Sequence, residues 1–376
     1  MAGRPWFSAL ACLCLGLLSR PAEGAAPATE KGATRTFKIP VWHPDARWKM
    51  ELRDFAKDSN LVAQLDGPRH EAMWGGRHKF PRLQAGFGGS GRYVFMGYDA
   101  SGDRFHAVTT GAAGYLDGPF ARARIYLSDY HGGHERACSA DDRFFYYLAD
   151  FYGQRVRALD FAKQRVSTLS TKGSAVACGE SGKVYLTQGI RPVASIAVLS
   201  SGPEWKLLGT RAVQGMRRLN ALGNSLAVDE GHGRLYATTY GSKDWYVWYW
   251  DLKEGRVHGV LPNCGGKPNA RPKNHAGPFE GTVVYNHGEI AWGPDDPDKR
   301  FLYMTRVDTT SLFRLDLQQQ IMAVFDVEEG RFINEGRARG ASAYSETPCW
   351  LKDGSFVGGI PWYKPAPRYR YFKRVK

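Results

Sequence analysis

A loose repeat of about fifty residues limits what this chain can fold into more than any other feature of its sequence. In each copy a turn of small or acidic residues leads to a basic residue or Gly, and a short aromatic and β-branched run follows. The copies are anchored at Arg92, Arg143, Lys183, Arg234, Arg300 and, in degraded form, Gly354. Such a period is typical of repeat architectures, in which each unit buries its apolar face against its neighbours.

The second half of three copies is also alike. A run that ends in an acidic residue closes about sixteen residues after the basic one, at Asp160, Asp251 and Asp316, and a tight turn and an apolar run follow. Each copy therefore predicts an inner strand, the anchored strand, a strand ending in Asp, and an outer strand. Four short antiparallel strands per unit are the blade of a β-propeller.

The predicted fold class is therefore all-β, a β-propeller of four-stranded blades over residues 84–376, with six blades preferred and seven possible. Residues 25–83 either close the ring or form the extra blade. Within them, Phe37, Ile39 and Val41 share one face of the alternating run 34–42, which is predicted to complete the C-terminal blade. Closure of this kind removes exposed sheet edges.

The segment Val228–Thr238, with the sequence VDEGHGRLYAT, resembles the second-strand region of NHL and SMP-30/gluconolactonase-like six-bladed propellers. The resemblance concerns the architecture and points to no specific family. Lactonases of this type coordinate a divalent cation through Glu, Asn and Asp, for which Asn220, Asp229 and Glu346 are the counterparts that the resemblance implies. Some propeller polysaccharide lyases use sets of His, Tyr and Arg.

The first 24 residues are predicted to be a signal peptide. Arg4 precedes a largely apolar run of residues 6–18, and small residues at Ala22 and Gly24 predict cleavage before Ala25. The run is shorter than the roughly 20 residues that a membrane span needs. We therefore expect a secreted or periplasmic protein without a membrane span.

The chain carries 51 Lys and Arg against 37 Asp and Glu, a net charge of +14. An excess of positive charge favours anionic partners, and export makes acidic polysaccharide a better candidate than nucleic acid, which we do not expect to bind. The alternative is that the charge only keeps a monomeric protein soluble. Outside the signal lie Cys138, Cys178, Cys264 and Cys349; buried free thiols are preferred at the first two, with a bridge between them left open.

The segment Trp245–Trp250, with the sequence WYVWYW, is predicted to be a strand with aromatic residues on both faces. Such a strand needs a sheet packed on each side, as an interior blade has. An aromatic platform for sugar stacking is the functional alternative.

In a propeller the segments that lead into the innermost strands gather at one mouth of the central channel. Here those segments contain Tyr130, His131, His134, Arg136, Lys172, Arg218, Asn220, His287 and Glu346. One hypothesis is a divalent-metal site for Zn or Ca, with ligands from among His131, His134, His287 and Glu346. The alternative is that these histidines hydrogen-bond to backbone.

A second hypothesis is β-elimination on an acidic sugar. Arg136 or Arg218 would neutralise the carboxylate, His134 or His287 would take the proton, and Tyr130 or Tyr344 would protonate the leaving oxygen. The predicted ligand-binding residues are Lys172, Arg218, Asn220 and Glu346. The predicted function is thus an exported propeller that binds an anionic, carbohydrate-like ligand, acting on it as a lyase or a metal-dependent hydrolase; the alternative is a non-catalytic binding or scaffold propeller of the cell envelope.

Overall fold

The computed structural model describes residues 46–54, 70–77, 93–99, 104–107, 114–125, 136–141, 143–150, 153–189, 195–213, 225–238, 245–262, 275–282, 290–293, 296, 298–306, 311–339, 349–350, 355–358 and 368–375. Within these ranges all the regular secondary structure consists of β-strands, which confirms the all-β class. No helix in this part of the chain could cross a membrane. The predicted signal peptide lies outside it, so export stays a prediction.

The strands, in chain order, are β1 (Arg47–Asp54), β2 (His70–Arg77), β3 (Tyr93–Asp99), β4 (Arg104–Ala107), β5 (Gly118–Pro119), β6 (Arg136–Cys138), β7 (Phe144–Asp150), β8 (Arg155–Asp160), β9 (Arg165–Thr168), β10 (Ala175–Cys178), β11 (Val184–Gln188), β12 (Ser195–Leu199), β13 (Leu207–Ala212), β14 (Leu226–Asp229), β15 (Arg234–Thr238), β16 (Trp245–Asp251), β17 (Val257–Pro262), β18 (His275–Pro278), β19 (Ile290–Trp292), β20 (Phe301–Arg306), β21 (Ser311–Asp316), β22 (Ile321–Asp326), β23 (Arg331–Ile333), β24 (Gly336–Arg337), β25 (Cys349–Trp350), β26 (Phe356–Gly358) and β27 (Arg368–Val375).

These strands form six antiparallel sheets in the described ranges, numbered here along the chain. They are β2-β3-β4; β6-β7-β8-β9 with β5 beyond β9; β10-β11-β12-β13; β14-β15-β16-β17; β19-β20-β21-β22 with β18, β23 and β24 at its outer edge; and β25-β26-β27-β1. The first strand of one sheet contacts the first strand of another, in the pairs β6–β10, β10–β14, β14–β19 and β25–β2. Meandering four-stranded sheets packed through their inner strands are the architecture of a propeller, as the sequence predicted.

A recurring aspartate explains why the repeat is visible in the sequence. The Asp that ends the third strand accepts a hydrogen bond from a backbone N–H in the next turn: Asp160 from Lys163, Asp251 from Glu254 and Asp316 from Gln319. The fourth residue after each Asp, namely Gln164, Gly255 or Gln320, has positive φ. In two sheets the Asp also pairs with the basic residue of the repeat, Arg143 with Asp160 at 3.1 Å and Arg300 with Asp316 at 2.6 Å. The repeat in the sequence therefore marks a turn that is closed by a hydrogen bond between residues three positions apart.

The sixth sheet joins the two ends of the described chain. β1 pairs with β27 along its whole length, from Arg47 opposite Val375 to Asp54 opposite Arg368, and β26 pairs with the other edge of β27. Both edges of β27 are thus occupied, and the N-terminal strand that joins the C-terminal sheet is β1, further along the chain than the run predicted to complete that blade. Residues 34–42 themselves lie outside the described ranges.

The aromatic strand β16 is buried on both faces, which confirms its packing role. Trp248 and Trp250 join a core shared with the second and third sheets, whereas Tyr246 and Val247 pack towards the fifth sheet. Strict alternation would have placed Tyr246 with Trp248, but the register shifts on either side of Val247 and moves Tyr246 to the opposite face.

Candidate functional site

The structure describes two of the nine residues that the sequence assigns to the channel mouth. Lys172 is exposed three residues before β10. Arg136 begins β6 opposite Tyr147, and only its backbone is described. The other residues, Tyr130, His131, His134, Arg218, Asn220, His287 and Glu346, lie outside the described ranges, and their roles stay predictions.

The starts of two neighbouring innermost strands are joined by one side chain. Ser225 directly precedes β14, and its Oγ accepts a hydrogen bond from the backbone N–H of Ile290, the first residue of β19, at 3.0 Å. The same Oγ lies 3.2 Å from the carbonyl oxygen of Ile290, to which it can donate. Because the serine is buried, this contact forms away from water and fixes the two strand starts side by side.

The segment that carries Lys172 is held by its backbone. The N–H of Gly173 donates to the carbonyl oxygen of Gln154 at 2.8 Å, and the Gln188 amide donates to the carbonyl oxygen of Lys172 at 3.4 Å. The hydroxyl of Ser174 donates to the carbonyl oxygen of Gly189 at 2.8 Å. The backbone of Lys172 is therefore positioned while its ammonium remains at the surface, as a contact for an anion requires.

The opposite ends of the inner strands are tied by a carboxylate. Glu230, in the turn after β14, accepts hydrogen bonds from the backbone N–H and the hydroxyl of Ser181, at 2.6 and 2.7 Å, and from the hydroxyl of Tyr185 at 2.8 Å. Burial raises the pKa of Glu230, but these three hydrogen bonds outweigh it and hold the pKa below its ordinary value. Glu230 therefore links the third and fourth sheets as a carboxylate.

The same end of β10 carries Cys178, which is half-buried and a free thiol, as the sequence analysis preferred. Burial, with a smaller contribution from the charges of Glu230 and Asp141, raises the pKa of Cys178 to about 12. A thiol with this pKa stays protonated near neutral pH and is a poor nucleophile. The Cys138 side chain lies outside the description.

No group of three or more His, Cys, Asp or Glu residues in the described ranges could hold a metal ion. All four residues of the predicted metal set lie outside those ranges, and a metal site there stays a prediction.

Arg314, which is buried with 6% of its surface exposed, was not among the residues predicted from the sequence. Its signal was available: a lone arginine interrupts the otherwise apolar core of the strand SLFRLD. A charged side chain in a strand ordinarily faces water, whereas this one is buried.

No protein-family model and no curated protein matches this chain. Among solved structures it is similar to TolB from Acinetobacter baumannii, at 11% identity over 81% of this chain and 64% of that chain, with a TM-score of 0.47. It is also similar to Kuenenia stuttgartiensis hydrazine synthase, at 13% identity over 75% and 89%, with a TM-score of 0.45. An auxiliary nutrient binding protein from Bacteroides ovatus aligns at 12% identity over 70% and 73%, with a TM-score of 0.40. These likenesses point to no specific family and say nothing about activity.

Proposed function

We propose that this chain is an exported six-bladed propeller that binds an anionic, carbohydrate-like ligand at the channel mouth where its innermost strands begin. The ring is closed by the pairing of β1 with β27, so that the six sheets are its six blades. Contact between β25 and β2 supports this closure, because these are the inner strands of the last and first sheets.

The contact between Ser225 and Ile290 carries the proposal. His287 precedes Ile290 by three residues, and Asn220 precedes Ser225 by five. Each is therefore only a few residues from a strand start that the structure places beside the other. This supports the proposal that Asn220 and His287, which are distant in the sequence, contribute to one ligand site.

Charge supports an anionic ligand. The chain has a net charge of +14, and Lys172 presents an exposed ammonium near the start of β10. Such a charge raises the association rate of anions and makes binding sensitive to salt. The proposed chemistry is β-elimination, in which Arg136 neutralises a uronate carboxylate, His134 or His287 removes the proton and Tyr130 protonates the leaving oxygen. In the metal-dependent alternative, His131, His134, His287 and Glu346 bind zinc or calcium.

The test is calorimetric titration with oligogalacturonate, oligoalginate and a neutral maltooligosaccharide at two salt concentrations. We expect the acidic sugars alone to bind, about fivefold more weakly in Lys172→Glu and in His287→Ala. Lys206→Glu is the matched control, because Lys206 is exposed in the β12–β13 turn, at the opposite end of its sheet. Equal weakening in both lysine variants, or no binding, would refute the mouth as the site.

Absorbance of unsaturated sugars then separates enzyme from binder. If the acidic sugars bind and no product forms, the lyase step is wrong and a non-catalytic binding propeller remains. Stoichiometric zinc or calcium in purified protein, removed by a chelator together with activity, is the result expected of the metal-dependent hydrolase.

A further inference from the structure

The fifth sheet holds a buried arginine that lacks a hydrogen-bond partner at one nitrogen. Arg314 lies in the middle of β21 opposite Tyr303, and only 6% of its surface is exposed. Its Nε has no hydrogen-bond partner among the described residues. A buried donor that is left unpaired costs about 1–3 kcal/mol, and more when the group is charged.

Two aromatic rings flank the guanidinium. The Cζ of Arg314 lies 4.9 Å from the ring centroid of Phe301 and 4.9 Å from that of Phe332. Aromatic faces attract a guanidinium electrostatically but offer no acceptor for its N–H groups. The rings therefore hold the plane of the guanidinium. Tyr303, opposite on β20, hydrogen-bonds to the side chain, which leaves the buried Nε–H as the group without a partner among the described residues.

The nearby carboxylate is already engaged. Asp316, two residues along the strand, accepts from Nε and Nη2 of Arg300 at 3.1 and 2.6 Å, and from the backbone N–H groups of Gln318 and Gln319. Burial lowers the pKa of Arg314, although Tyr303 and the charge of Asp316 act in the opposite direction, as expected of a cation whose desolvation is only partly offset.

Arg314 lines a cavity of about 220 Å³ together with Arg300, Phe301, Asp316 and Asn334. With two arginines and one carboxylate, its walls carry one uncompensated positive charge. The volume is several times the roughly 30 Å³ share of one water molecule, so it is large enough for a small organic anion. A second cavity of about 560 Å³ shares Arg314 and Asn334, and its other charged lining residues are of both signs: Arg331, Arg337, Arg339, Asp326, Glu329 and Glu335.

We propose that this cavity is a binding site for the oxyanion group of a small ligand, a carboxylate or a phosphate ester, and that Arg314 is its anchoring residue. A planar guanidinium fork matches two oxygens of either group, and charge-assisted hydrogen bonds of this kind are the strong ones. The hydrogen bonds and the negative charge of the ligand oxyanion offset the free-energy cost of desolvating Arg314. This site lies on the fifth sheet and does not depend on the proposed channel-mouth site.

The first experiment uses the unaltered protein. The Nε–H resonance of Arg314, assigned by its loss in Arg314→Met, is followed by heteronuclear NMR during titration with sodium acetate, sodium phosphate and sodium chloride at constant ionic strength. We expect a saturating shift with acetate, phosphate or both, which identifies the preferred group. A shift that is linear in concentration and equal to that of chloride would overturn the proposal.

The second experiment uses variants. Arg314→Met is expected to fold, because replacing an uncompensated buried charge by an apolar side chain of similar length is neutral or stabilising. We expect it to bind the anion at least about tenfold more weakly, while Lys206→Gln, which removes one exposed charge from another sheet, binds normally. Undiminished binding in Arg314→Met refutes the site. Lys172→Glu leaves this binding unchanged, so failure here and failure at the channel mouth are distinguishable.

Discussion

Arg157 is completely buried in the second sheet and donates from Nη2 to Oδ1 of Asp117, 2.7 Å away. Asp117 precedes Gly118, which pairs with β9. The tripeptide Gly118-Pro119-Phe120 recurs in the fifth sheet as Gly277-Pro278-Phe279, which lies beside β22. The strand register places Ala276 where the second sheet has Asp117, and Phe313 where it has Arg157. The second sheet thus has an ion pair at two positions where the fifth sheet has a pair of apolar side chains.

We expect Asp117→Ala to lower the free energy of unfolding by about 2–3 kcal/mol. Arg157 retains the carbonyl oxygens of Arg124 and Leu116 and the Tyr147 hydroxyl, but it loses its only carboxylate among the described residues. Urea unfolding measures the change, with Glu204→Ala, from an exposed pair with Lys206, as the control without a measurable effect.

The double variant Asp117→Ala, Arg157→Phe tests whether the two pairs are interchangeable. It installs the side chains that the fifth sheet already accommodates, so we expect it to be more stable than Asp117→Ala alone. If the double variant is the less stable of the two, the equivalence of the two positions is wrong.

The link through Glu230 makes stability depend on pH in a defined direction. Its pKa is lower in the folded chain than its unfolded value near 4.5, so its stabilising contribution is complete above that value and disappears as pH falls through the folded pKa. We therefore expect Glu230→Gln to be less stable than the wild type at pH 7 and to approach it below pH 4. Urea unfolding from pH 3 to pH 7 measures the difference; a constant gap would contradict the prediction.

Much of the fold was predictable because its signals are local. The second strands begin at or within two residues of the six anchors, and the third strands β8, β16 and β21 end at the predicted aspartates, because each Asp closes a turn only three residues away. A turn of this kind needs no distant partner, so it is visible in the sequence.

What could not be predicted depends on distant partners. The short outer strands β5 and β18 carry no alternation, and they are strands only because the edges of β9 and β22 are available to them. The guanidinium of Arg314 packs against Phe332, which belongs to a later strand. At the proposed channel mouth, the sequence supplied candidates, and the structure places only Lys172 among them with its side chain.

Two glycine-to-alanine substitutions distinguish the effect of backbone strain on stability from the effect of packing. Gly255 ends the turn after Asp251 with φ +71°, and Gly209 lies in β13 with φ in an ordinary region; an added Cβ would meet nothing within 4 Å at either position. We expect Gly255→Ala to cost about 1–2 kcal/mol, since only glycine is relaxed at this φ. Gly209→Ala should be neutral or slightly stabilising, because it restricts the unfolded chain. Thermal unfolding of the pair measures the difference, and equal effects would show that φ is not the cause.

The half-buried thiol of Cys178 provides a test of the packing at the end of β10. With a pKa of about 12, about one thiol in 10,000 is ionised at pH 8, so alkylation by iodoacetamide should be at least a hundredfold slower in the native protein than in urea. The native rate should also rise about tenfold per pH unit from pH 7 to pH 10. Mass spectrometry of the peptide that contains Cys178 follows the reaction, with the same peptide in urea as the reference. A rate that levels off near pH 9 would mean that the thiol has an ordinary pKa and that water reaches this end of the strand.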